Sequence, residues 1–133
     1  MASKFPSPAQ DYAARRISLD EVCGTQRNSV YLVRADGGAI MAGIHPGATL
    51  VIDRALTPVH GSVVLAAVDG ELVIRRLCLV PMRGLEYLDG SGNVTLIDDG
   101  EIIDTDEGRI EVFAVVMYAL NDMRTSEFDD LVV

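Results

Sequence analysis

Apolar residues along this chain are grouped in short runs, with turn-forming residues between them. Runs that predict strands cover residues 30–33, 49–52, 62–68, 71–79, 94–97 and 110–120. Short β-branched runs separated by Gly, Pro or Asp are typical of antiparallel β-structure. The run at 110–120 is mostly apolar and long enough for a central strand, although periodicity alone leaves a buried helix open. The sequence therefore predicts a mainly β fold.

A tight hairpin is the clearest local prediction. Asp69 and Gly70 separate two apolar, β-branched runs. A type I′ turn needs positive φ at both central residues, and an Asp-Gly pair meets that requirement. Side chains alternate along a strand, so Arg75 and Arg76 point to opposite faces of the second strand. One of them must face the more buried side, where a cation needs a carboxylate partner or a cleft.

The chain divides into an N-terminal arm (1–28), a β domain (29–124) and an acidic C-terminal tail (125–133). With 133 residues, 49% of them apolar, the chain is long enough for one domain with a core. In the arm, Phe5 to Pro8 disfavours regular structure, and Ser18 to Glu21 has the spacing of a capping box that begins a short helical turn. For the tail, a frayed terminus and a short partner-binding or degradation motif are both open.

The distribution of charge limits the classes of function. The net charge is −9, and residues 77–133 carry three basic and thirteen acidic side chains, a balance of −10. We therefore expect no direct nucleic-acid binding, and a role at DNA would pass through a protein partner. No apolar run approaches the roughly 18 residues of a membrane span, so we predict a cytoplasmic protein. Cys23 and Cys78 are interpreted as reduced structural thiols, and no metal or cofactor is predicted.

A few other polar residues were considered as candidate sites. His60 and Ser62 are close enough in sequence to suggest a Ser–His pair, but His45 and His60 are better interpreted as surface side chains. Carboxylates at 98–101 and 104–107 could bind a hard cation loosely. Their spacing differs from that of an EF-hand, which favours a solvated loop or a partner-facing patch.

Two segments resemble the active-site segments of a known family. Residues 34–43 and 66–77 are similar to those of the LexA/UmuD family, the self-cleaving S24 serine–lysine peptidases. The tracts at 5–12 and 60–71 resemble the UmuD branch in particular, in its processed, UmuD-prime-like form. The resemblance covers residues 5 to about 124. It implies a single compact peptidase-like β domain with an extended N-terminal arm, which forms homodimers.

Both catalytic residues of that family are replaced in this chain. The family has serine where this chain has Ala39, and lysine where it has Arg75. Alanine offers no nucleophile, and a guanidinium does not give up its proton near neutral pH. We therefore predict that Ala39 and Arg75 are vestigial positions and that the protein is not an enzyme. The chain starts at Met1, just before the Phe-Pro-Ser-Pro tract, so we expect a form that needs no trimming, and Cys23-Gly24 is interpreted as a chance match to the family's cleavage site.

The resemblance also implies partners and a role. It predicts a non-catalytic accessory subunit of an error-prone Y-family translesion DNA polymerase of the UmuC type, acting in the SOS response, with the RecA filament as a further partner. The main alternative is a decoy that forms heterodimers with an active UmuD or LexA-like protein. A live Ser–Lys peptidase and the dimerising half of a truncated repressor are further alternatives.

Overall fold

One antiparallel sheet organises the part of the chain that the structure describes. The structure is a computed structural model that describes residues 16–97, 102–105 and 108–124. Its strands are β1 (Val30–Arg34), β2 (Thr49–Asp53), β3 (Val63–Val68), β4 (Glu71–Cys78), β5 (Gly84–Tyr87), β6 (Val94–Leu96), β7 (Ile102–Thr105) and β8 (Gly108–Leu120). A short helix, α1 (Leu19–Cys23), precedes the sheet, and a 3-10 turn (Ile40–Ala42) lies between β1 and β2. The mainly β prediction is confirmed.

The strand order is β1-β2-β8-β3-β4-β5-β6, and β7 also pairs with β8. The 13-residue β8 therefore pairs with three other strands, β2, β3 and β7. Its residues 115–120 pair with β2, and residues 110–115 pair with β3. The prediction of a central strand at 110–120 is confirmed, and the buried-helix alternative is wrong.

The core lies on both sides of β3. Leu65 packs in one cluster with Leu50, Ile52 and other buried side chains. Val64 and Ala66, which point the opposite way along the strand, pack in a second cluster that includes Leu77, Leu85 and Ile110. An apolar side chain at successive positions lets both faces of one strand be buried.

The hairpin between β3 and β4 forms as predicted. Asp69 has φ of 52° and Gly70 has φ of 82°, so both turn residues occupy the left-handed region. Sequence analysis did not predict β5 or β7. The first residue of β5 is Gly84, and a Cβ built there would lie 2.6 Å from the Cγ1 atom of Val94. The glycine that obscures the strand in the sequence is required by the close approach of β6.

The predicted arm contacts the domain through Cys23, while most of the other side chains at 16–28 are exposed. Helix α1 begins after Ser18, whose hydroxyl oxygen accepts the backbone N–H of Asp20 at 3.1 Å, and it ends at Gly24 with φ of 67°. Its last residue, Cys23, is buried against Val30 and Val51. The predicted helical turn is confirmed. Among the described residues, no helix is long and apolar enough to span a membrane.

Candidate functional site

Ala39 lies at the start of a closed loop. Its backbone N–H donates to the carbonyl of Ile44 at 2.8 Å, and the N–H of Ile44 donates back at 3.1 Å. Gly43 has φ of 71° and closes the intervening 3-10 turn, a conformation that glycine adopts without strain. Ala39 is 4% exposed and belongs to the same apolar cluster as Ile44 and Leu50. The side chain at this position is therefore a buried methyl group.

The position before Ala39 has almost no room for a side chain. A Cβ built on Gly38 would lie 3.1 Å from the carbonyl oxygen of Ile44 and 3.1 Å from Cδ of Pro46. Both contacts are tighter than ordinary van der Waals separation, and one of them is with backbone. A larger residue would have to displace the loop.

Arg75 is held by its neighbours on β4 and β5. Its guanidinium carbon lies 4.1 Å from the centre of the Tyr87 ring, and Nη1 donates to the carbonyl of Ile74 at 2.9 Å. Tyr87 is the residue directly opposite Arg75 in the strand pair. The hydrogen bonds from Ser91 hold the pKa of Asp89 below its usual value, and the positive charge of Arg75 adds to that effect.

The two predicted segments meet at one cleft. It has a volume of about 260 Å³ and is lined by residues 33–38 on one side and by residues of β2, β3 and β4 on the other. Gly38 and Arg75 are both among its lining residues. The charged side chains at the cleft belong to Arg34, Asp36 and Arg75. Among the described residues that line it, none carries a hydroxyl, a thiol, an imidazole or an amine.

Comparison with known proteins places the chain in a family. Residues 1–84 match the Peptidase S24-like family. The chain belongs to the S24-like peptidase family. Protein MucA of Escherichia coli is 35% identical over 121 residues, which cover 90% of this chain and 79% of MucA. Protein ImpA of Shigella flexneri is 41% identical over 88 residues, covering 65% and 61% of the two chains. Protein SamA of Salmonella typhimurium is 38% identical over 82 residues, covering 61% and 59%.

Arg76 occupies the opposite face of β4 in this S24-like chain. Its Nη1 donates to the carbonyl of Gly61 at 3.0 Å, and its Nε lies 3.7 Å from Oε1 of Glu86. Both arginines are half-buried. The sequence predicted that one of them would need a carboxylate or a cleft; Arg76 has the carboxylate, and Arg75 lies at the cleft.

Asn121 holds the loop next to Ala39, a role that the sequence did not indicate. Its Oδ1 accepts the backbone N–H of His45 at 2.9 Å, and its Nδ2 donates to the carbonyl of Gly43 at 2.8 Å. The side chain ties the loop that contains Ala39 to the end of β8. No local pattern indicates this role, because the two partners lie 76 and 78 residues away in sequence.

His60 and Ser62 do not form a Ser–His pair. Nδ1 of His60 accepts the backbone N–H of Leu79 at 2.9 Å, and the hydroxyl oxygen of Ser62 accepts the backbone N–H of Val59 at 2.9 Å. Both side chains thus stabilise the connection into β3. The interpretation of His60 as a surface side chain is confirmed, since it is exposed.

Several other candidates lie partly or wholly outside the described residues. These are the tract at 5–12, the carboxylates at 98–101, the side chains of the run at 104–107, and the tail at 125–133. Cys23 and Cys78 are free thiols, and Cys23 is buried at the end of α1.

Proposed function

We propose that this chain is a non-catalytic, UmuD-prime-like accessory subunit of an error-prone Y-family translesion DNA polymerase, acting in the SOS response. Membership of the S24-like family and similarity to MucA, ImpA and SamA support a UmuD-like role. The proposal includes a homodimer, a UmuC-type polymerase as the main partner and the RecA filament as a further partner. The protein would contribute binding surfaces to this assembly.

The observation that carries the proposal is the chemistry of positions 39 and 75. A serine–lysine peptidase needs a hydroxyl nucleophile and a lysine that can become neutral and accept its proton. The buried methyl group of Ala39 cannot attack a carbonyl carbon. A guanidinium is not a general base, and that of Arg75 is stacked on Tyr87.

The absence of cleavage can be tested with purified components. The chain is incubated with RecA filaments assembled on single-stranded DNA with ATP, and its intact mass is followed by mass spectrometry. We expect no fragment, while a LexA-type protein with its serine and lysine is cleaved in the same reaction. A RecA-dependent fragment of the wild-type chain would overturn the non-catalytic part of the proposal.

The cellular role can be tested by co-expression. In damaged cells that lack their own UmuD-like protein, this chain together with a UmuC-type polymerase should raise the frequency of induced mutation above that with the polymerase alone. A tagged copy should recover the polymerase in a pull-down. A fall in mutation frequency in cells with an active UmuD, and recovery of that protein alone, would favour the decoy instead.

A further inference from the structure

A second cleft lies between the 54–58 loop, the segment around Leu79 and Arg83, and strand β8. Its volume is about 540 Å³, and it shares no lining residue with the cleft that Gly38 and Arg75 line. Its wall combines apolar side chains such as Leu77 with charged ones. No step of the proposed polymerase role uses this cleft.

Two arginines in this cleft have unused donors. Arg54 lies over the ring of Phe113, with its guanidinium carbon 4.2 Å from the ring centre, and it makes no ion pair with any described residue. A guanidinium stacked on a ring keeps its N–H groups at the edge for a carboxylate. The Nε atom of Arg83 is buried and has no hydrogen-bond partner among the described residues. Glu111 also lines the cleft but forms an ion pair with neither arginine.

A buried donor without a partner costs free energy, because it has lost its hydrogen bonds to water. A carboxylate in the cleft would pair with the guanidinium of Arg83, a lining residue, and a turn of that side chain would bring Nε into the contact. A carboxylate, like a phosphate, forms paired, charge-assisted hydrogen bonds with a guanidinium. Two arginines against one glutamate give the cleft a local excess of positive charge in a chain whose net charge is −9.

Exposed apolar side chains lie on the two connections that supply part of this cleft's lining. Leu56, which lines the cleft, is 43% exposed, and Val59, Val80 and Met82, on the same connections, are 61%, 65% and 59% exposed. The two connections, 54–62 and 79–83, are joined by the hydrogen bond from Leu79 N to His60 Nδ1. Apolar groups clustered at a charged cleft are typical of a protein–protein contact.

We propose that this cleft binds an acidic peptide segment of a protein partner, in which a carboxylate is followed by an apolar side chain. The carboxylate pairs with Arg54 and Arg83, and the neighbouring apolar residue packs against the apolar part of the lining at Leu56 and Leu79. The apolar lining and the negative net charge of the chain disfavour a nucleic-acid backbone as the occupant.

The test is a titration of the full chain into a fluorescein-labelled peptide, Gly-Asp-Phe-Asp-Leu-Gly, followed by fluorescence polarisation. The matched probe has Asn in place of both Asp residues. We expect saturable binding of the acidic peptide below about 1 mM and at least tenfold weaker binding of the amide peptide, because the charge-assisted hydrogen bonds are lost.

Variants locate the binding. Arg54→Gln and Arg83→Gln should each weaken binding about tenfold, while Arg34→Gln, which removes the same charge at the other cleft, should change it less than twofold. Arg54 is exposed, so its variant keeps the test valid if Arg83→Gln fails to fold. Three outcomes overturn the proposal: no binding of the acidic peptide, equal binding of the amide peptide, or an effect of Arg34→Gln that matches that of Arg54→Gln.

Discussion

The stack of Arg75 on Tyr87 predicts that Arg75→Lys lowers stability. The guanidinium carbon lies 4.1 Å from the ring centre, and Nη1 donates to the carbonyl of Ile74 at 2.9 Å. A lysine ammonium is compact and strongly hydrated and cannot stack as a plane. Cation–π contacts contribute about 0.5–1 kcal/mol at exposed sites and about 2 kcal/mol when desolvated. For this half-buried arginine we expect Arg75→Lys to cost about 1 kcal/mol.

The assay is a double-mutant cycle measured by urea unfolding. Arg75→Lys and Tyr87→Leu are made singly and together, and the difference from additivity measures the advantage of arginine over lysine in the contact with Tyr87. We expect a coupling free energy of about 0.5–1 kcal/mol. Arg76→Lys combined with Tyr87→Leu is the matched control, because Arg76 points to the other face and contacts Gly61 and Glu86. Its coupling to Tyr87 should lie within about 0.3 kcal/mol of zero.

Two results would refute this reasoning. One is Arg75→Lys unfolding at the same urea concentration as the wild type. The other is a coupling to Tyr87 no larger than that of the Arg76 control. In either case Tyr87 would not hold the guanidinium, and the interpretation of Arg75 as a structural side chain would fail. The proposed loss of catalysis would then rest on position 39 and on the general chemistry of arginine.

Three further predictions concern the turn, the core and acid stability. Gly70→Ala should lower the free energy of unfolding in urea by about 1 kcal/mol, because φ of 82° strains an L-residue even though an added Cβ would contact nothing within 4 Å. The control is Gly37→Ala, which is equally open and has no positive φ, and which should be neutral or slightly stabilising. Leu50→Ala should cost about 2–5 kcal/mol by leaving a cavity, and a loss below about 1 kcal/mol would contradict the packing. The pKa of Asp53 is lowered mainly because its carboxylate accepts the backbone N–H of Ala55. The ionised carboxylate therefore stabilises the folded state fully above the unfolded pKa near 3.8, and this stabilisation is lost as the pH falls through the lower pKa of the folded state. Asp53→Asn should therefore flatten the fall in urea midpoint below pH 5, and a slope equal to that of the wild type would contradict this.

Local chemistry explains which parts of the fold were predictable. Asp69 and Gly70 carry their own turn preference, so the hairpin follows from two adjacent residues. The run at 110–120 was predicted as a strand, but its apolar pattern alone left a buried helix open. Only pairing with β2 and β3 decides that question, and pairing is not a local property. β5 was also hidden by a non-local effect. It begins with Gly84, and glycine is required there because Val94 on the neighbouring strand leaves no room for a Cβ.

The resemblance points to positions 39 and 75 but not to the contacts around them. A resemblance located Ala39 and Arg75, and the structure brings their segments to one cleft. The contact with Tyr87 depends on the register of β4 with β5, and β5 was not predicted. The role of Asn121 depends on where β8 ends relative to a loop far away in sequence.

The loop beside this cleft is held by backbone groups and by Asn121, and not by the side chains at positions 39 and 75. The loop from Ala39 to Ile44 is closed by its own backbone and by Gly43, and Asn121 anchors it. The N–H of Met41 also donates to the carbonyl of the buried Leu88 at 3.1 Å. None of these interactions requires a hydroxyl at position 39 or an amine at position 75. A chain under selection for its binding surfaces alone could therefore exchange both groups and keep the cleft, because the loop is part of the core.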